Sequence, residues 1–412
     1  MSADGTAAPE PGDGATSARK PKRGAAGLLI AALVIGVVFG TGPLVRYLKA
    51  PAISESFGIE DAVVALRLDA RDISYLVLVN EEGQTRSVRV EERGFENSKL
   101  AWSELGLSTG GPREEYLLHA DGLSKFPVPD MPPSPSEQER IATDTGFTML
   151  ASSANGARAV FVDAANDSLT AVDAGYATPA LAGCGDAALM VGERGVDEAT
   201  PETRDFDRYG MFDDVEALAC DGDRLFGLGG ISDDARPREA LRVWDRAGGA
   251  PREFEVRYPE AVNGWASTPF VSEGRLVWAA DWKLWSIAVP ELEAGSAADA
   301  DGGAPVLEAV ESADLGGSVG TDDPFAYDTV VGIDDGVLAP AAGRAYSVAA
   351  DEEWVKRRRG GSYDKLNGLA VFSIDPRTGE RRIEIEVDDI DFPRRDLHVH
   401  AIAVDPEWAA GR

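Results

Sequence analysis

Few residues in this 412-residue chain could carry out chemistry, so the search for function starts with them. There are two cysteines, Cys184 and Cys220, and three histidines, His119, His398 and His400. A structural zinc site normally takes four Cys or His ligands, and no such set is spaced here. His398 and His400 stand two apart, so on a strand they point the same way. They read either as an ordinary strand pair or as two ligands of a metal completed by a distant carboxylate. A Cys184–Cys220 disulfide is permissible if the domain is exported. It would add about 3 kcal/mol in the chain-entropy model.

The acidic groups Asp388, Asp389 and Asp391, the pair Asp213 and Asp214, and the run Asp299, Asp301 and Gly302 raise weak, exported calcium sites. The oxygen-ligand series of an EF-hand is incomplete in all of them. A dense basic run, Lys356, Arg357, Arg358 and Arg359, follows Trp354. In so acidic a chain it is the candidate surface for an anionic partner or for an acidic neighbouring face. Trp265, Trp278, Trp282 and Trp285 cluster within one stretch, and rings in strands usually serve packing. Trp282 and Trp285 differ by an odd number, which works against one flat aromatic platform.

No phosphate-cradling glycine loop, dinucleotide fingerprint or Gly-x-Ser-x-Gly elbow is present. His119 lies in Tyr116-Leu-Leu-His119, a strand pattern and not a nucleophile loop. No catalytic residue and no cofactor ligand is therefore assigned. The formal net charge of −31 would repel nucleic acid and anionic headgroups, which excludes a nucleic-acid partner.

The elements that must position these residues fall into two classes. Ala25 to Val45 is an uncharged apolar run whose length as a helix matches the hydrocarbon core. Arg19, Lys20, Lys22 and Arg23 precede it, while Arg46 and Lys49 follow, a positive-inside bias. The expected organisation is a disordered cytoplasmic tail at 1–23, a transmembrane helix at 24–45, a juxtamembrane linker at 46–60 and an extracytoplasmic domain at 61–412. A cleaved signal peptide is the alternative, and it too exports the remainder.

Beyond residue 60 the pattern is one of short strands. Ala62–Leu68, Ser74–Asn80 and Thr85–Glu91 are separated by turn residues. From Thr148 a loose repeat sets in, each unit marked by Asn-Gly, Asp-Gly or Glu-Gly at Gly156, Gly222, Gly274 and Gly336. No βαβ rhythm occurs, so a doubly wound sheet is excluded. The expected fold is all-β, a six- or seven-bladed β-propeller after one N-terminal transmembrane helix. Leu397–Asp405 reads as a first strand that returns to pair near residues 62–91 and closes the ring.

Two segments carry a family resemblance. Leu369-Ala-Val-Phe-Ser-Ile-Asp-Pro-Arg-Thr-Gly-Glu380 resembles the outer blade signature of quinoprotein-like propellers. Leu241-Arg-Val-Trp-Asp-Arg-Ala-Gly-Gly249 resembles the Trp-Asp ending of WD40 blades. The resemblance implies a propeller. The repeated tryptophan docking pattern and catalytic residues of quinoproteins have no counterpart here, so it implies no activity. The functional expectation is a membrane-tethered extracytoplasmic module that binds a protein or an envelope polymer. An exported hydrolase or quinoprotein-like enzyme is the alternative.

Overall fold

Among the described residues strands alternate with turns, and their pairing makes seven sheets arranged as propeller blades. The computed structural model describes residues 50–70, 73–90, 98–131, 135–175, 180–191, 195–205, 215–231, 238–260, 262, 267, 269–289, 305–315, 337–349, 355–356, 365–366, 368–387, 390 and 398–412. Blade 1 takes β1 (Val64–Ala70), β2 (Ile73–Val79) and β3 (Thr85–Val90). Blade 2 is β4–β7 (Ala101–Ser103, Gly106–Gly110, Glu114–His119, Gly122–Pro127). Blade 3 is β8–β11 (Ser136–Thr143, Gly146–Ser153, Gly156–Asp163, Ser168–Gly175). Blade 4 is β12–β15 (Leu181–Cys184, Ala187–Val191, Val196–Ala199, Arg204–Asp205). Blade 5 is β16–β19 (Val215–Cys220, Arg224–Ile231, Arg238–Asp245, Arg252–Arg257).

Blade 6 is β20–β22 (Phe270–Ser272, Arg275–Ala280, Lys283–Ala288) and, after β23 (Val306–Glu308), β24 (Val310–Asp314). β23 lies parallel on β19, so an insertion from blade 6 covers the outer edge of blade 5. Blade 7 holds β25 (Ala339–Ala341) and β26 (Arg344–Ala349). The hairpin β27–β28 (Val355–Lys356, Lys365–Leu366) is then inserted, and β29 (Leu369–Ile374) and β30 (Arg381–Val387) complete the blade. The last strand, β31 (His398–Val404), pairs antiparallel with β1 and becomes the inner strand of blade 1. Three N-terminal strands and one C-terminal strand thus close the ring. A five-residue helix, α1 (Pro406–Ala410), follows, capped by Asp405.

The core lies in layers between the faces of neighbouring blades. Val64, Leu66, Tyr346, Val371 and Ile402 fill the space between blades 7 and 1, and Phe226, Phe254, Trp278 and Trp285 that between blades 5 and 6. The turns joining inner strands to second strands are tight, and Glu273–Gly274 and Ala342–Gly343 place both residues at positive φ, as such turns require. A polar link repeats across blades 6 and 7. Arg275 Nε donates to Ser286 Oγ (3.0 Å), and Arg344 Nε donates to Ser373 Oγ (3.0 Å).

The ring has seven blades, one of the two expected counts, and other expectations are corrected. No helix among the described residues is long and apolar enough to cross a membrane, and the run at 24–45 lies outside the described residues. The tether, the signal-anchor, the membrane partner and the single-pass location are therefore not carried forward. The repeat groups Gly156 with Gly222, Gly274 and Gly336, yet Gly156 opens the third strand of its blade while Gly222 and Gly274 sit between first and second strands; Gly336 lies outside the described residues. Residues 50–53, within the stretch read as a linker, run beside β3: Ile53 N–H donates to Arg89 O and Arg89 N–H to Pro51 O.

Candidate functional site

In an antiparallel blade, one end of the ring carries the turns after the first and third strands, and the other carries the turns after the second and the crossovers to the next blade. Turns between first and second strands are 104–105, 144–145, 185–186, 221–223, 273–274 and 342–343. Crossovers at the other end run from 176–180 at the shortest to 315–338 at the longest, and the β27–β28 hairpin is inserted at that same end.

The seven inner strands bound an axial channel of about 690 Å³. Each is the edge of its sheet, so the channel wall is largely strand edge and small side chains such as Ala182, Ala219 and Ala403. Polar groups enter near the starts of inner strands: Lys99, Gln138, Glu139, Glu216 and His400. Glu216 is exposed and His400 half-buried. These residues come from four blades and share no motif; of them the sequence marks only His400, and as a possible metal ligand, not as part of a channel.

In this wall, at the seam between blades 2 and 3, sits a buried group of charges. Arg140 of β8 donates to Glu115 of β6 through Nη1 (2.5 Å) and Nη2 (3.1 Å), and through Nε to Glu137 (2.7 Å). Burial raises the Glu115 carboxyl above its usual range against the pull of Arg140. The same desolvation pushes Glu137 up to about 7, with Arg140 opposing and Glu115 adding to the rise. Gly110 makes room for Glu115, since a Cβ there would lie 2.2 Å from its Oε1.

The structure distributes the residues singled out from sequence as follows. Cys184 and Cys220 form a disulfide with Cα atoms 5.6 Å apart, joining the ends of β12 and β16, the inner strands of blades 4 and 5. Lys356 pairs in the backbone with Lys365. Trp354, Arg357, Arg358 and Arg359 lie outside the described residues, as do Trp265, Asp213, Asp214, Asp299, Asp301, Asp388, Asp389 and Asp391. Trp278 and Trp285 are fully buried, so they are packing and not a platform. Trp282 occupies a turn with positive φ. His398 and His400 share β31, and His119 ends β6. Among the described residues, no group of three or more His, Cys, Asp or Glu side chains is placed to hold a metal.

No protein-family model and no curated protein matches the chain. Similar solved structures include apo AztD from Citrobacter koseri, at 11% identity and a TM-score of 0.40, covering 83% of this chain and 98% of that one. Hsv2 of Kluyveromyces lactis is similar at 9% identity and a TM-score of 0.38, over 78% of this chain and 90% of that one. PorZ of Porphyromonas gingivalis, described as a surface component of the type-IX secretion system, has 13% identity and a TM-score of 0.31, over 79% of this chain and 44% of that one. The assignment of a propeller rests on the chain's own sheet order.

Proposed function

We propose that this chain is an exported, non-catalytic binding module that recognises a protein or envelope polymer at the end of its ring that receives the crossovers. The observation that carries the reading is the polar mouth of the channel at that end. The inserted hairpin and the starts of the inner strands, with Lys99, Gln138, Glu139, Glu216 and His400, belong to it, while the other end carries the short first turns and the connections after third strands, the longest of them 289–309. Loops on a rigid scaffold are where recognition is built. The Cys184–Cys220 bridge supports an oxidising compartment. The basic run Lys356–Arg359, two residues after Trp354, offers positive charge in an otherwise acidic protein and is suited to an anionic partner; of this run Lys356 belongs to the inserted hairpin.

Site-specific photo-crosslinking tests the reading. A photoreactive residue at Glu216, in the channel mouth, is expected to capture a discrete partner in intact cells. One at Ile383, exposed on outer strand β30, is expected to capture none. Replacing Arg357, Arg358 and Arg359 with Glu should weaken the Glu216 adduct. Equal capture from both positions, or an adduct indifferent to the charge reversal, would overturn the proposal.

A further inference from the structure

We propose that the seam between blades 2 and 3 is a proton-operated latch on the channel wall, closed while the Glu115–Glu137 pair holds a proton and loosened when both carboxylates ionise. Glu137 lies at the start of β8, the inner strand of blade 3, and accepts the backbone N–H of Lys99 (2.9 Å), just before the inner strand of blade 2. Its other oxygen accepts Arg140 Nε. Arg140 also clasps Glu115 and reaches Ser108 Oγ (2.7 Å), both in blade 2. One guanidinium thus serves two carboxylates whose side chains, like its own, are 0% exposed.

The charged groups about the Glu115–Glu137 pair come from blades 1, 2 and 3, and Arg67 acts on Glu115. Arg140 and Glu139 stand on the same strand as Glu137, Glu115 on β6, and Arg67 on β1 of blade 1. Arg67 donates to Thr109 Oγ1 (2.9 Å) and Gly110 O (3.1 Å). Lys99, Glu139 and Arg140 also line the channel, so a change at the seam reaches the wall directly.

The direction follows from where the proton is held. Burial lifts Glu137 from the ordinary 4.5 to about 7 in the closed seam. Opening returns the carboxyl to water and to its ordinary affinity, so opening releases a proton. Closure is therefore favoured at low pH and progressively opposed as pH rises from 4.5 through about 7.

Hydrogen exchange of the whole chain between pH 5 and 8, expressed as protection factors that remove intrinsic chemical exchange, tests this. Protection of the Lys99 amide is expected to fall about tenfold or more with rising pH, while amides of 275–280 in blade 6 stay level. In Glu137→Gln the Lys99 slope should flatten. A wild-type seam whose protection does not fall relative to blade 6, or a Glu137→Gln protein with the wild-type slope, would overturn the latch. If the variant does not fold, the wild-type comparison of the two blades decides alone.

Discussion

Tyr258 stands edge-on to Trp285, ring centroids 4.8 Å apart and planes at 82°, across the boundary between blades 5 and 6. Its hydroxyl donates to Glu239 Oε2 (2.5 Å) and accepts from Trp278 Nε1 (3.0 Å). Burial and the neighbouring Glu239 hold the phenol far above its ordinary pKa, so it keeps the proton it donates. Tyr258→Phe preserves the rings and removes the link, leaving the buried Trp278 N–H without this acceptor. The expected loss is about 2 kcal/mol, read as a lower urea midpoint at unchanged slope. A variant as stable as the wild type would show that ring packing alone holds this boundary.

The ring depends on one strand at its closure, and α1 is seated to secure it. Trp408 packs at 6.0 Å from the Tyr346 ring, and Arg412 lies 4.7 Å over the Trp408 ring. Asp405 Oδ1 accepts the Glu407 N–H (2.9 Å), fixing the helix directly after β31. Trp408→Ala should cost about 3 kcal/mol and speed amide exchange first in 398–404 and 64–70. Acceleration spread evenly over all seven blades would show that the helix does not act at the closure.

Much of this architecture is visible in residue types, and the misses have physical causes. Pairing of the terminal strand with β1 follows from the apolar run at Val399–Val404, which needs a partner edge. The blade repeat was harder to see. Gly106, Gly146, Gly185 and Gly222, all at or beside the first turn of a blade, fall 40, 39 and 37 residues apart, an ordinary blade length. Insertions in blades 5 to 7 stretch the later spacings, and those later units carry the plainest Asp-Gly and Glu-Gly signals. Helix α1 escaped because five residues offer no periodicity. The channel as a site escaped for a different reason, since Gln138 and Glu216 become neighbours of one cavity, with His400, only when the ring closes. The Arg140 cluster shows as Glu137-x-x-Arg140 in an amphipathic strand, but its burial comes from blade packing, which no local pattern encodes.

The Cys184–Cys220 bridge spans 36 residues and ties adjacent inner strands. Cross-linking a loop of that length restricts the unfolded chain, worth roughly 3–4 kcal/mol in the entropy model. Cys184→Ser, and separately wild type with dithiothreitol, should both lower the unfolding midpoint by the same amount, and adding reductant to the variant should change nothing. A mobility difference between reduced and non-reduced denatured wild type, absent from Cys184→Ser, checks the bond itself. Unequal effects of the variant and the reductant would show that the Ser side chain, and not the lost bridge, is responsible.

Asp375 closes the Asp-Pro-Arg-Thr-Gly turn that carried the family resemblance. Its Oδ1 accepts the backbone N–H groups of Arg377 (2.8 Å) and Thr378 (3.3 Å), and Gly379 takes φ 71° to complete the turn. Burial is the largest single influence and pushes the carboxyl up. The hydrogen bonds from Arg377 and Thr378, with the Arg377 charge, together outweigh it and hold the folded pKa below the ordinary 3.8. The unfolded chain therefore binds the proton more readily. The stabilisation is present above pH 3.8 and is lost as pH falls through the folded value. Asp375→Asn should be less stable than wild type at pH 7, and the gap should narrow on acidification below pH 4. Urea unfolding of both proteins from pH 2 to pH 7 reads that gap directly. A constant gap would assign the cost to altered turn geometry, because only the charged form of Asp375 carries a pH-dependent part.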